Sequence, residues 1–212
     1  MNEKFFDLKK EKQDRMINAA LKVFALNGYR HASTDDIVRE AAISKGLLFH
    51  YFENKLGVYA FVYDYSVRYL LLELSTAVDA KETDLFTLMQ QVETGKMHAM
   101  CGYPYLQPFL NRAQAENVNE ALVAVEERKQ QMEEAYKNIY ARADLGKYAA
   151  AEDVVKLRKM MELTIKGLMN ERILEDAFQP EMLYEEILEY LQLSRRLAER
   201  SGQPSDEEIT EK

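Results

Sequence analysis

Between Ser44 and Lys55 the chain reads Ser-Lys-Gly-Leu-Leu-Phe-His-Tyr-Phe-Glu-Asn-Lys, the stretch best suited to recognising another molecule. At about 100° per residue, a helix over 45–52 turns Leu48 and Phe52 to one side and fans Gly46, Leu47, Phe49 and His50 over the other. The inward pair suits a seat on Ile37, Val38, Ala41 and Ile43. The outer face is unusual for water: it carries a leucine, a phenylalanine and a glycine that costs a helix about 1 kcal/mol relative to alanine. A DNA major groove is a cover whose chemistry fits, with thymine methyls against Leu47, base acceptors or phosphates against His50, and close backbone approach at Gly46. Lys45, Tyr51 and Lys55, with Ser33 and Thr34 at the start of the preceding helix, are spaced for phosphates, which fix register rather than sequence. The plainer alternative is a compact three-helix unit in which Lys55 is a solvated cation and Tyr51 packs beside Phe52.

The elements that must hold this stretch are helical. Four prolines and eight glycines punctuate 212 residues, and apolar residues between them recur at spacings of three and four, so the chain is expected to be all-α. Ile17, Ala20, Leu21, Phe24 and Ala25 form the stripe of a first helix over about 9–26, stopped at Asn27-Gly28. Ser33 or Thr34 caps a short second helix to about Ala41, Ser44 caps the third, and Asn54 separates it from a long fourth that runs to about Ala80. Thr83 or Asp84 opens a fifth that is expected to fail between Gly95 and Gly102, with Pro104 and Pro108 shaping a shorter segment. Helices over about 118–143, 151–177 and 180–200 complete a count of about nine. Residues 201–212 are acidic and without core residues, and are expected to be a flexible tail.

The formal net charge is -8, which by itself speaks against a polyanionic partner. Its distribution reverses that: residues 1–57 hold ten basic and eight acidic side chains, and the remaining 155 hold 18 and 28. The two parts are expected to have different partners. No apolar run approaches the roughly 18 residues of a membrane span, Cys101 is the only cysteine, and the N-terminus lacks the pattern of a secretory signal, so a cytoplasmic location is expected. His31, His50 and His98 are scattered, no Glu-x-x-His pair or glycine-rich phosphate loop appears, and His98 with Cys101 gives two ligands at most. No catalytic constellation, metal site or cofactor is therefore expected.

Arg15, Ile17, Ala19-Ala20, Val23-Phe24, Gly28-Tyr29, Ser33-Thr34, Asp36-Ile37, Ala41 to Gly46, Leu48 to Phe52 and Lys55 together resemble the N-terminal signature of the tetracycline-repressor family of transcriptional regulators. The likeness covers about 45 residues. Phe49 departs from it, standing where the family more often has a tyrosine whose hydroxyl meets phosphate. The resemblance implies a helix-turn-helix DNA-binding domain over 1–55, joined through the fourth helix to a ligand-binding and dimerisation domain over 56–200.

One short recognition helix touches few base pairs, so two copies on a two-fold site are expected. The last two helices are apolar on more than one face; Val155, Met161, Ile165, Leu168, Ile187 and Leu191 are the expected dimer contacts, with Gly167 permitting close approach, and the family pairs through these helices as a four-helix bundle. The irregular segment around 96–105 is expected to line a small-molecule pocket with Tyr63, Phe86, Met97, Met100, Tyr103, Tyr105, Phe109 and Tyr136. The resulting expectation is a homodimeric repressor, released from a palindromic operator by a small apolar or cationic ligand acting through the fourth helix. The alternative is a DNA-binding regulator whose C-terminal half binds a protein or nothing, and a close-packed interior at 96–109 would favour it.

Overall fold

The computed structural model describes residues 3–148, 150–174 and 178–200. Among them are nine α-helices and no strand: α1 (Lys10–His31), α2 (Thr34–Glu40), α3 (Lys45–Phe52), α4 (Lys55–Ala77), α5 (Leu85–Gly102), α6 (Leu106–Gln114), α7 (Asn119–Tyr140), α8 (Ala151–Arg172) and α9 (Pro180–Arg200). Short 3-10 turns lie at Glu3–Phe5 and Leu145–Lys147. The expected tail, 201–212, and the expected end of α8 at Ala177 lie outside the described residues.

Side-chain caps account for four of the nine helix starts among the described residues. Side chains of Ser33, Ser44, Asn54 and Asp84 each accept from a backbone N–H in the first turn of the following helix, satisfying donors that a helix start leaves open. The break expected at Gly28 is present as φ 67° and ψ 176°, after which the chain makes one more turn to His31. That combination is open essentially to glycine alone, so Gly28 redirects the chain toward α2. The stripe Ile17, Ala20, Leu21, Phe24 and Ala25 is buried throughout.

One core runs without interruption from Phe5 through α1, α2, α3 and α4 to α6 and α7, with Phe24, Tyr59 and Phe109 packing ring against ring at its centre. The expected boundary between residues 55 and 56 falls at the first turn of α4, and this core passes across it. A second core joins α5, α8 and α9 through Met89, Met161, Ile165, Leu183 and Ile187.

The fifth helix ends at Gly102, at the far end of the expected range 95–102, and it runs unbroken through Gly95. Gly95 serves instead as a point of close approach, because a Cβ there would stand 3.0 Å from Leu74 Cδ2 and 3.3 Å from Leu74 Cα. Packing against α4 outweighs the roughly 1 kcal/mol that glycine costs a helix interior. The fourth and seventh helices are a few residues shorter than expected, ending at Ala77 and Tyr140.

Candidate nucleic-acid interface

Helix α3 is set by its two ends and one buried side. Ser44 Oγ accepts from the Leu47 N–H at 3.2 Å, and Asn54 Oδ1, two residues past the helix, accepts from the Gly57 N–H at 2.9 Å to start α4. Leu48 and Phe52 are 1% and 8% exposed, in the same core as Ile37 and Ala41. The Phe52 ring meets Phe5 at 5.2 Å and Phe61 at 4.8 Å, so the start of the chain and α4 brace α3 from behind. Gly57 is needed for this closeness, since a Cβ there would overlap the Phe52 carbonyl.

The remaining faces of α3 carry the side chains expected to meet DNA. Lys45, Gly46 and His50 are exposed, Leu47 and Phe49 half-buried, and nothing stands within 4 Å of a Cβ built on Gly46. Ser33, rather than Thr34, caps α2, its Oγ accepting from the Asp35 N–H at 3.1 Å; both residues are half-buried at the helix start. Lys45 pairs with Asp35 at 2.8 Å across the helix-turn-helix, with both side chains half or more exposed. Tyr51 is half-buried, its ring 5.7 Å from Phe5 and 4.9 Å from His50.

Lys55 is a correction. Its ammonium donates to the carbonyls of Tyr29 at 2.9 Å, Ala32 at 3.3 Å and Arg30 at 3.4 Å, and lies 4.5 Å from the Tyr29 ring centre. A cation on the last carbonyls of a helix is favourable where the helix dipole ends negative, so Lys55 secures the end of α1 instead of facing a phosphate.

Two sets of contacts that sequence reasoning missed tie α1 to the C-terminal half. Past the Gly28 break, Tyr29 N–H donates to Glu116 Oε2 at 2.9 Å and its hydroxyl donates to Glu120 Oε1 at 2.5 Å. Tyr103 OH donates to Asp14 Oδ1 at 2.6 Å and also accepts from Lys10 Nζ at 3.0 Å. These partners lie about 90 positions apart in sequence, beyond any local pattern; Phe5, by contrast, was visible as an aromatic just ahead of the first helix.

The expected pocket is not where the sequence suggested. Tyr63, Phe86, Met100, Tyr103 and Phe109 are core residues no more than 4% exposed, while Met97 and Tyr105 are half-buried and do not line the cavity between α5, α6, α7 and α8. With α5 unbroken, Ala99, Met100, Tyr103 and residues 106–110 are buried, while His98, Cys101 and Gly102 are exposed. A cavity of about 630 Å³ lies on the other side of α5 and α6, walled also by α7 and α8; of the eight expected residues only Tyr136 lines it. Within it Glu93 accepts from Lys96 at 2.6 Å, with side chains only 6% and 15% exposed. Burial by itself pulls the Lys96 pKa down, but the Glu93 carboxylate and the nearby Tyr136 and Tyr140 outweigh it and keep the ammonium charged. Helix α6 contributes Gln107, Asn111 and Gln114 to the same wall, and its other side packs along α1.

Of the six expected dimer residues, Met161, Ile165, Ile187 and Leu191 are buried inside the subunit and Leu168 is half-buried. The large apolar side chains that α8 and α9 leave exposed are Met160, Leu163, Met182, Tyr190, Leu193 and Leu197, with Leu174 just past the end of α8, joined by Val155, which is 47% exposed at the cavity rim. Gly167 has open space around it. Among the described residues no helix is long and apolar enough to cross a membrane.

Among the described residues, α2 and the exposed α3, joined by a short turn near the start of a set of helices, have the helix-turn-helix arrangement. Residues 16–60 match the family of bacterial regulatory proteins named for tetR. The chain is 36% identical over 78 residues to YuxN, an uncharacterised helix-turn-helix-type transcriptional regulator of Bacillus subtilis, a match covering 35% of this chain and 26% of that protein. It is 41% identical over 49 residues to another such regulator, TtgW of Pseudomonas putida, covering 23% and 37% of the two chains. The matched regions thus span well under half of these relatives. The fold as a whole resembles a TetR family transcriptional regulator from Chloroflexus aurantiacus, with TM-score 0.55 and 22% identity over 94% of this chain and 93% of that one. Residues 16–60 are thus similar to the N-terminal segment of tetR-family bacterial regulatory proteins, and the chain as a whole shares the fold of a TetR family transcriptional regulator.

Proposed function

We propose that the protein is a homodimeric repressor, held on a palindromic operator by its two α3 helices and released when a small molecule fills the cavity behind α5 and α6. The observation that carries the reading is the outer face of α3, where Lys45, Gly46 and His50 stand exposed on a helix pinned by Leu48 and Phe52. Leu47 and His50 read base edges, Gly46 admits the DNA backbone, and Ser33, Thr34, Lys45, Phe49 and Tyr51 hold sugars and phosphates. Lys45 gives up Asp35 for this, an exposed pair worth at most about 1 kcal/mol. Residues 1–55 thus form the DNA-binding domain and 56–200 the ligand-binding and dimerisation domain, working in the cytoplasm.

The second copy docks on the exposed residues of α8 and α9. Met160 and Leu163 lie along one side of α8, with Leu174 just past its end and Met182, Tyr190 and Leu193 along α9, and Gly167 leaves room for a close crossing. Helix α6 touches both the cavity and α1, so a ligand that prefers one seating of α6 shifts α1 and the spacing of the two α3 helices. The effect equals its differential affinity, typically about 1–3 kcal/mol. A second reading, in which the C-terminal half answers to a protein, draws on the burial of Ala99, Met100, Tyr103 and residues 106–110; the cavity beside them favours the small molecule.

The test is selection of genomic fragments by the purified protein, expected to enrich a palindrome whose affinity falls steeply with salt. Lys45→Ala with His50→Ala should weaken binding roughly 30-fold or more with the helical signal and oligomeric state unchanged; normal binding would remove α3 as the reader. Leu163→Glu with Leu193→Glu should give monomers by light scattering and abolish operator binding, and a wild-type monomer at micromolar concentration would sink the dimer.

A further inference from the structure

The walls of the α5–α8 cavity say what class of molecule fits it, an argument that rests on the ligand-responsive reading above. Residues 58–212 hold ten more acidic than basic side chains, yet among the described residues the cavity wall has four cations, Lys96, Lys137, Arg158 and Lys166, against Glu93 and Glu162. A wall of the opposite sign to its surroundings steers anions inward. Hydrogen-bond capacity leans the same way. The Lys96 ammonium spends one of its three N–H donors, on Glu93, and among the described residues no hydrogen bond engages the Tyr136 or Tyr140 hydroxyl. Burial raises the pKa of both phenols, so they keep protons to donate. The aromatic faces that would welcome an organic cation are already occupied by the protein's own charges: Lys96 lies 5.6 Å from the Tyr136 ring centre and Arg158 4.8 Å from that of Tyr140. The rest of the wall is largely apolar, with Leu85, Met89, Met132, Ile165 and Met169 among its residues.

We propose that the effector is an amphipathic organic anion, its carboxylate held by Lys96 and the Tyr136 and Tyr140 hydroxyls with Arg158 nearby, and its hydrocarbon body lying on the methionine-rich wall. A volume of about 630 Å³ is in the range that holds a small organic molecule, roughly 300–1,000 Å³. The sequence pattern had allowed a cationic ligand; the geometry points to the opposite charge.

The experiment titrates the full-length protein by calorimetry with two matched series below their aggregation limits: decanoate, decanol and decylamine, and 2-naphthoate, 2-naphthol and 2-naphthylmethylamine. In at least one series the carboxylate should bind at least about tenfold tighter than the alcohol, as a charge-assisted hydrogen bond implies, with the amine weakest. The paired change Glu93→Gln/Lys96→Met, which leaves no buried charge unpartnered, should erase the carboxylate's advantage while the alcohol binds as before; Arg158→Gln should reduce it by less. An amine that binds as well as its carboxylate, a charge-neutral pair that keeps the preference, or no binding by any of the six probes overturns the proposal. Operator release is measured separately on an enriched fragment: carboxylate binding without release would leave the ligand class standing and overturn the regulatory reading, whereas ligand failure with intact operator binding does the reverse.

Discussion

Helix α3 is eight residues long, capped by Ser44 and seated by two side chains; α8 is 22 residues long, lacks a side-chain cap, and divides its apolar residues between the subunit's core and the exterior. In the first case each residue answers to a neighbour within a few positions, so its side follows from the period of the helix. In the second, Ile165 and Leu163 are equally apolar and two positions apart, yet one is 6% and the other 59% exposed, because α5 and α9 stand on one side only. Short capped helices are fixed locally, whereas a long helix apolar around its circumference is fixed by what packs on it.

That contrast can be broken by substitution. Leu48→Ala should cost about 2–5 kcal/mol in urea unfolding, as a truncation in a filled core does, while Leu163→Ala should leave subunit stability within about 0.5 kcal/mol and weaken only dimerisation. Equal costs would mean that the exposed face of α8 is buried in the isolated subunit.

Gly28→Ala tests whether the local break at the end of α1 also sets the contact with the C-terminal half. Its backbone is glycine-only and a Cβ would stand 3.2 Å from Arg112 Nε, so a loss of about 1–3 kcal/mol is expected. A smaller loss would mean that α1 can be redirected without strain.

The Glu116 joint sharpens the same point through pH. Burial alone raises the Glu116 pKa, but the N–H groups of Asn117, Tyr29 and Val118, and the charge of Arg112, hold it below 4.5. A depressed carboxylate contributes stability that is present above its unfolded value and disappears as pH falls through the folded one. Melting temperatures should therefore drop below about pH 4.5, and Glu116→Gln should flatten that drop; an unchanged profile would show that the joint carries no stability.

The smallest effect belongs to Ala42, in the turn between α2 and α3, whose φ is 51°. Ala42→Gly relieves a left-handed alanine and should stabilise the protein by a few tenths to about 1 kcal/mol, measured by thermal unfolding with operator affinity retained. A destabilised variant would mean that the turn needs the methyl group.

The cysteine gives no support to redox regulation. Partial burial and the neighbouring Glu181 carboxylate push the Cys101 thiol up to about 11, which leaves little thiolate at neutral pH.

The sequence by itself determined the helical class, the positions of most helix starts, the break at Gly28 and the inward pair Leu48 and Phe52, since caps, glycine conformation and helical period act over a few residues. It also placed the exposed side chains of α3 on one outer face. Only the tertiary structure decided that α5 runs on through Gly95, that Lys55 turns back onto α1, that Tyr103 belongs to a hydrogen-bonded joint, and that the cavity lies among Lys96, Tyr136 and Arg158. Each of these rests on partners 21 or more positions away. The free energy of such contacts depends on which helix faces arrive together, and no local pattern in the chain encodes that.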